Sequence, residues 1–150
     1  MRYQGKNLRK GRLSEPGRIY LLTTVTHERT PVFAQWSHGC LVAREIYAMR
    51  ERHSLETLAY VLMPDHLHWL VQLQSGTLEQ HVRRLKSRSA IALNSMKKSS
   101  GRVWQKGFHD HALRKEEDVQ AVARYVVANP LRAGLVEKLA DYPFWDAVWL

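Results

Sequence analysis

The stretch LETLAYVLMPDHLHWLVQL, residues 55–73, reads as two strands folded back on one another. LETLAYVLM (55–63) is rich in Leu, Val and Tyr, Pro64-Asp65 interrupts it, and HLHWLVQL (66–73) resumes the pattern. The two-residue break predicts an antiparallel hairpin, although Pro-Asp is not the strongest hairpin turn. His66 and His68 stand one residue apart in the second, otherwise apolar strand. Placing imidazole twice in such a run is costly unless each ring is hydrogen-bonded or employed. Alternation turns both histidines to one face and Leu67, Trp69 and Val71 to the other, so the histidine face is expected to be the one that is not core. Two imidazoles about 7 Å apart on one face can converge on a divalent cation. A pair of hydrogen-bonded core or edge histidines is the alternative.

Outward from the hairpin, RIYLLTTVT (18–26) predicts a first strand, and apolar positions at Val42, Ile46 and Met49 predict a helix over 38–53. After Gly76, Thr77 and Gln80 have the spacing of a capping box. The helix it opens has the stripe Leu78, Val82, Leu85, Ser89, Ala92 and Met96. VWQKGFHDHALR predicts a fourth, irregular strand. Glu116, Glu117 and Asp118 then open a third helix, where acids complement the macrodipole. Val119, Val122, Ala123, Val126 and Val127 form its buried stripe, and Asn129-Pro130 is expected to stop it. Tyr142, Phe144, Trp145 and Trp149 are expected to pack over the sheet, and core packing is the simplest role for Trp36 and Trp104. The order β-α-β-β-α-β-α predicts an α+β fold: a ferredoxin-like split βαβ with an antiparallel sheet and an additional C-terminal helix carrying Tyr125. Residues 1–150 read as one domain, with 1–17 a basic N-terminal arm.

The 150 residues carry 23 Lys and Arg against 14 Asp and Glu, a net charge of +9. Such a balance speaks to polyanionic partners rather than to fold. No acidic residue lies between Glu79 and Asp110, whereas Arg83, Arg84, Lys86, Arg88, Lys97, Lys98, Arg102 and Lys106 do. The N-terminal segment adds further cations, Arg12 among them. Two blocks of one sign favour nucleic acid over a merely basic surface. With Cys40 as the only cysteine, no intrachain disulfide forms, which favours a reducing, cytoplasmic setting. No apolar run approaches the roughly 20 residues of a membrane span, so no membrane partner is expected.

The third helix brings further candidates. Tyr125 and Asn129 are four residues apart and stack on one helical face. His109 and His111 repeat the His-x-His spacing around Asp110, in a less strand-like setting beside the basic block. Phosphate contact or a supporting role suits them better than metal ligation.

PDHLHWLV resembles the HUH motif (His, bulky hydrophobe, His) of single-tyrosine DNA transposases, and ARYVVANPLRAGLV resembles the helix bearing their nucleophilic tyrosine. The order of segments is similar over nearly the whole chain, and closest to the REP-associated tyrosine transposases. The resemblance implies Mg²⁺ or Mn²⁺ held by His66, His68 and Asn129, where many relatives carry Gln in place of Asn. It implies Tyr125 as a nucleophile forming a 5′-phosphotyrosine link, with Asp110 and His111 as accessories. The implied substrate is single-stranded or hairpin DNA, contacted by the basic residues named above, in a nucleoid-associated cytoplasmic protein acting in DNA transposition. Monomer and homodimer both remain open, because insertion-sequence relatives exchange the tyrosine helix between subunits and REP-associated ones do not require it. The alternative is a non-catalytic nucleic-acid-binding module on the same fold.

Overall fold

A computed structural model describes residues 14–114 and 117–149. The elements are β1 (Ile19–Val25), α1 (Trp36–Ala48), β2 (Leu55–Met63), β3 (His66–Leu73), α2 (Leu78–Lys97), β4 (His109–Ala112), α3 (Val119–Val127), α4 (Asn129–Arg132) and β5 (Trp145–Ala147). One antiparallel sheet runs in the order β4-β1-β3-β2-β5. β3 therefore splits β1 from β2, as the ferredoxin-like pattern requires. Pro64 and Asp65 close the β2–β3 hairpin, with Met63 opposite His66 and Val61 opposite His68.

The register assigns each side chain to a layer. Leu67, Trp69, Val71 and Leu73 join Tyr20, Leu22 and Leu62 in the larger core, which α1 and α2 cover. The other face is not free of core. Leu70, in phase with the two histidines, is fully buried with Leu58, Ala59, Leu113, Ala123, Val127 and Ala147. Beside it, Val126 packs on Val61 and Met63. The histidine face is thus a second, smaller core under α3, and His66 and His68 lie at its end rather than on an open surface.

Local chemistry explains the helix limits. Thr77 Oγ1 accepts from Gln80 N at 3.2 Å, and Gln80 Oε1 accepts from Thr77 N at 3.0 Å, completing the capping box of α2. Its buried stripe is Leu78, His81, Val82, Leu85, Ser89 and Leu93. Met96 keeps the phase of the expected stripe, but the helix has run past the core by then and the side chain is exposed. α1 starts at Trp36 and tightens to a 3-10 turn at Met49–Arg52, ended by His53 with φ 56°. Asp118 caps α3 by accepting from Ala121 N at 3.2 Å. α3 ends at Val127, just before Asn129-Pro130 as expected, but the chain does not leave helical geometry there. Ala128 keeps helical torsions and α4 follows at once, with Pro130 in its first turn, where its missing N–H costs nothing.

The C-terminal aromatic segment departs most from expectation. Residues 145–147 form a fifth strand on the outer edge of β2, so this tail extends the sheet instead of lying over it. Phe144 packs into α1 at Gly39, where any Cβ would stand 2.2 Å from the ring. Trp149 is exposed, and Trp36 is 65% exposed rather than in the core, whereas Trp104 is buried and donates to Ser89 Oγ at 2.9 Å. The chain between β4 and β5 thus leaves one edge of the sheet, crosses a face as α3, and rejoins at the opposite edge. At the other terminus, residues 14–17 of the expected arm are docked: Gly17 N donates to Leu73 O, and Leu78 N donates to Ser14 Oγ. Arg12 lies outside the described residues. Among those described, no helix is long and apolar enough to cross a membrane.

Candidate active site

The hairpin turn is fixed before the histidines begin. Thr26 donates its backbone N–H to the carbonyl of Asp65 at 3.0 Å, and its hydroxyl lies between the carbonyls of Thr30 (2.8 Å) and Asp65 (3.1 Å). The Asp65 carboxylate accepts from Arg29 Nη1 at 3.1 Å and from His66 Nδ1 at 2.7 Å. Partial burial works against its charge, but the hydrogen bonds from His66 and Arg29 outweigh it and hold the carboxyl below its usual range. On the neighbouring strand, His68 Nδ1 is 2.9 Å from Thr23 Oγ1, its register partner on β1. Each imidazole is therefore oriented through Nδ1, which leaves Nε2 as its outward nitrogen.

The rings lie 4.8 Å apart, centroid to centroid, at 81° to one another. They are closer than the backbone repeat alone suggests, because the two side chains lean together. Burial pushes His68 down to about 4, with the charges of His66 and Arg132 adding to the effect. His68 is consequently a neutral base at physiological pH, the form in which imidazole ligates metals. Among the described residues no cluster of three or more His, Cys, Asp or Glu side chains offers a metal site.

α3 carries Tyr125 to this edge of the face. Its neighbour Val126 packs on Val61 and Met63, and these two residues are the register partners of His68 and His66. Tyr125 itself is 65% exposed. The Arg132 guanidinium lies 3.8 Å from the centroid of the Tyr125 ring. Asn129, half-buried, donates through Nδ2 to Val126 O at 2.9 Å, which leaves its Oδ1 as the open acceptor.

The second His-x-His pair keeps both its histidines on the histidine face and turns the Asp110 between them away from it. Asp110 is paired with Leu22, which faces the α1–α2 layer, so Asp110 is buried on the side away from His66 and His68. His111 is on the histidine face but exposed, with Nε2 3.3 Å from Glu117 Oε1. His109 lies nearest the site, across Thr23 from His68 in the register. The one-residue alternation thus separates the accessory candidates Asp110 and His111 and brings forward His109 instead.

The basic block lies mainly on α2, against the other face of the sheet. Lys86 is no free surface cation: Nζ donates to the carbonyls of Gln105 (2.8 Å) and Gly107, and burial lowers its pKa to about 8. Arg88 Nε donates to Glu45 Oε1 at 2.7 Å and so ties α2 to α1. Arg83, Arg102 and Lys106 rim a groove of about 500 Å³ between α2 and residues 101–108, floored by Val82, Trp104 and Phe108. Lys97 and Lys98 are exposed at the end of α2, and Arg84 is half-buried. A larger cavity, about 710 Å³, lies between α1 and the β2–β5 edge and is not lined by His66, His68 or Tyr125.

Three residues of this site escaped the sequence reading: Thr23 and Asp65, which orient the imidazoles, and Arg132, which stacks on the tyrosine. Only Arg132 left a signal, its place seven residues beyond Tyr125 on one helical face.

The family model described as "Transposase IS200 like" matches residues 17–129. A Haemophilus influenzae protein named as a REP-associated tyrosine transposase is 28% identical over 140 residues, 85% of this chain and 78% of that one. The REP-associated tyrosine transposase of Escherichia coli K12 is 26% identical over 106 residues, and the match spans 69% of this chain and 61% of the relative. The fold matches that of a REP-associated tyrosine transposase solved bound to a REP hairpin, with TM-score 0.75 and 22% identity over 97% of this chain and 81% of the other.

Proposed function

The chain belongs to the IS200-like transposase family, and from that premise we propose that it cuts and rejoins single-stranded DNA presented as a hairpin. The observation that carries this reading is the seating of the tyrosine helix: Val126 rests on the register partners of the two histidines, so Tyr125 and the imidazoles share one edge of one face. The hairpin substrate is suggested by the relative solved with such a DNA.

In the proposed reaction Tyr125 Oη attacks the scissile phosphorus as the P–O3′ bond breaks. The phenol loses its proton and the departing 3′ oxygen gains one, leaving a 5′-phosphotyrosine and a free 3′-hydroxyl. The phosphodiester energy is retained in the new link, so attack by a 3′-hydroxyl reverses it and joins strands without ATP. His66 and His68, through Nε2, and Asn129, through Oδ1, would hold Mg²⁺ or Mn²⁺. The donor chemistry fits such a cation: a neutral His68, and imidazoles backed at Nδ1 by a carboxylate and a hydroxyl, are the outer arrangement metal-binding histidines use. Two nitrogen donors depart from the oxygen shell Mg²⁺ prefers, which makes Mn²⁺ the better match. When bound, the cation would polarise the scissile phosphate and orient it for in-line displacement.

Backbone contacts are assigned to the exposed cations Arg83, Lys97, Lys98, Arg102 and Lys106, with Arg84 and the N-terminal Arg12 as further contributors. Lys86 and Arg88 are engaged within the fold and are assigned to structure first. The test is an incubation of the protein with end-labelled hairpin DNA and Mn²⁺, followed by denaturing electrophoresis. A protein–DNA adduct that needs the cation and is lost in Tyr125→Phe is expected. An adduct that survives in Tyr125→Phe refutes the nucleophile, and its absence from the wild type favours a non-catalytic binding module.

A further inference from the structure

α3 and α4 form a nearly continuous helical path, since Ala128 between them keeps φ −79° and ψ −2°. Tyr125, Asn129 and Arg132 therefore fall at i, i+4 and i+7 and line one stripe. The backbone of the last member is firmly held: Arg132 N donates to Ala128 O at 3.1 Å, Ala133 N donates to Asn129 O at 2.9 Å, and Pro130 is buried beneath them. From that base the guanidinium reaches back over the Tyr125 ring at 3.8 Å. Among the described residues no carboxylate pairs with the guanidinium, although acidic partners neutralise Arg18, Arg29, Arg88 and Arg124. A cation without a counter-charge, held against the face of a tyrosine, is a seat for an anion.

A guanidinium can stack with its face and donate with its edge at the same time, which an ammonium cannot. We propose that Arg132 is a catalytic residue: its face holds the Tyr125 ring while its edge donates to a non-bridging oxygen of the scissile phosphodiester. This rests on the reading of Tyr125 as the nucleophile. As the Oη–P bond forms and the P–O3′ bond breaks, charge on the non-bridging oxygens rises, and a fixed donor there stabilises the transition state more than the ground state. A side chain that only props up the ring would be indifferent to that charge.

The test replaces one scissile non-bridging oxygen by a methyl group, giving a neutral methylphosphonate. Single-turnover adduct formation is measured for wild type, Arg132→Ala, Arg132→Gln and Arg132→Lys on both linkages, each variant being checked for an unchanged thermal midpoint. On the phosphodiester, Arg132→Ala and Arg132→Gln should lose about 10²- to 10³-fold in rate, the effect of removing one preorganised donor. On the methylphosphonate the same variants should stay within about threefold of wild type on that linkage, because the charge they no longer meet is absent. Arg132→Lys should recover little, having lost the stacking face. Equal losses on both linkages overturn the assignment and leave Arg132 a support for the ring. Those results are separable from a failure of the nucleophile, because Tyr125→Phe must abolish adduct on either linkage. If it does not, or if wild type forms none on the phosphodiester, the reading of Tyr125 and that of Arg132 fall together.

Discussion

His68 should make the metal-free protein lose stability in mild acid. Its folded pKa is pushed from 6.5 to about 4, first by burial and then by the charges of His66 and Arg132. For a base whose folded pKa is lowered, the unfolded chain binds the proton first as pH falls. The neutral, buried form therefore contributes its full stability above pH 6.5, and this is lost as pH falls through 6.5 towards 4. With these two values, linkage gives a loss of about 2 kcal/mol between pH 7.5 and 5.0, out of a limit of about 3 kcal/mol below both. Asp65, held below its usual range, contributes its loss only at lower pH and does not confuse this window. The assay is urea denaturation at the two pH values in the presence of a chelator, for wild type and His68→Asn. Asparagine keeps a polar atom near Thr23 but has no titration in this range. The variant should be less stable at pH 7.5 and show about 2 kcal/mol less pH dependence than wild type. If both proteins respond equally to acid, His68 is not a desolvated base, and the argument that its Nε2 stands ready for a cation loses its support.

Gly39→Ala should destabilise despite better helix propensity. Alanine gains about 1 kcal/mol inside a helix, but its Cβ would meet the Phe144 ring at 2.2 Å, and overpacking of this kind costs about 1–3 kcal/mol. A raised thermal midpoint would show that Phe144 moves aside freely. Lys86→Met should lower stability by removing two charge-assisted hydrogen bonds, each worth about 1.5–3 kcal/mol. It should leave the slope of log binding constant against log salt unchanged for hairpin DNA. Arg102→Ala should do the reverse and reduce that slope by about 0.9, the effect of leaving one phosphate un-neutralised. A shallower slope in Lys86→Met would return Lys86 to the DNA surface.

Much of the fold was legible because its signals are local. Pro64-Asp65 between two apolar runs, and Thr77 with Gln80, specify a hairpin and a helix start by chemistry confined to a few residues. Elements that depend on distant partners were harder to read. WDA at 145–147 is too short to show alternation, and it becomes a strand only because the β2 edge stands open beside it. Alternation put His66 and His68 on one face, but whether that face is core depends on Ala123 and Val127, far along the chain. Asp110 illustrates the cost of a single step in register, since side chains one residue apart face different layers. Lys86 read as a surface cation because sequence carries no trace of the two carbonyls that the 105–107 turn presents to it. Asn129-Pro130 looked like a stop because proline ends helices from within, whereas here it opens a new turn.

On the proposed reading, the route of the chain around α3 bears on how a cut strand would be managed. The helix is stitched to its own sheet at both ends, through β4 before it and β5 after it, on opposite outer edges. Lending this helix to a second copy would require peeling off β5 and withdrawing Phe144 from its notch at Gly39. A DNA end joined to Tyr125 would therefore be moored to a fixed post. On the proposed reading, the partner strand would come to it, and the geometry of rejoining would be set by how the DNA folds.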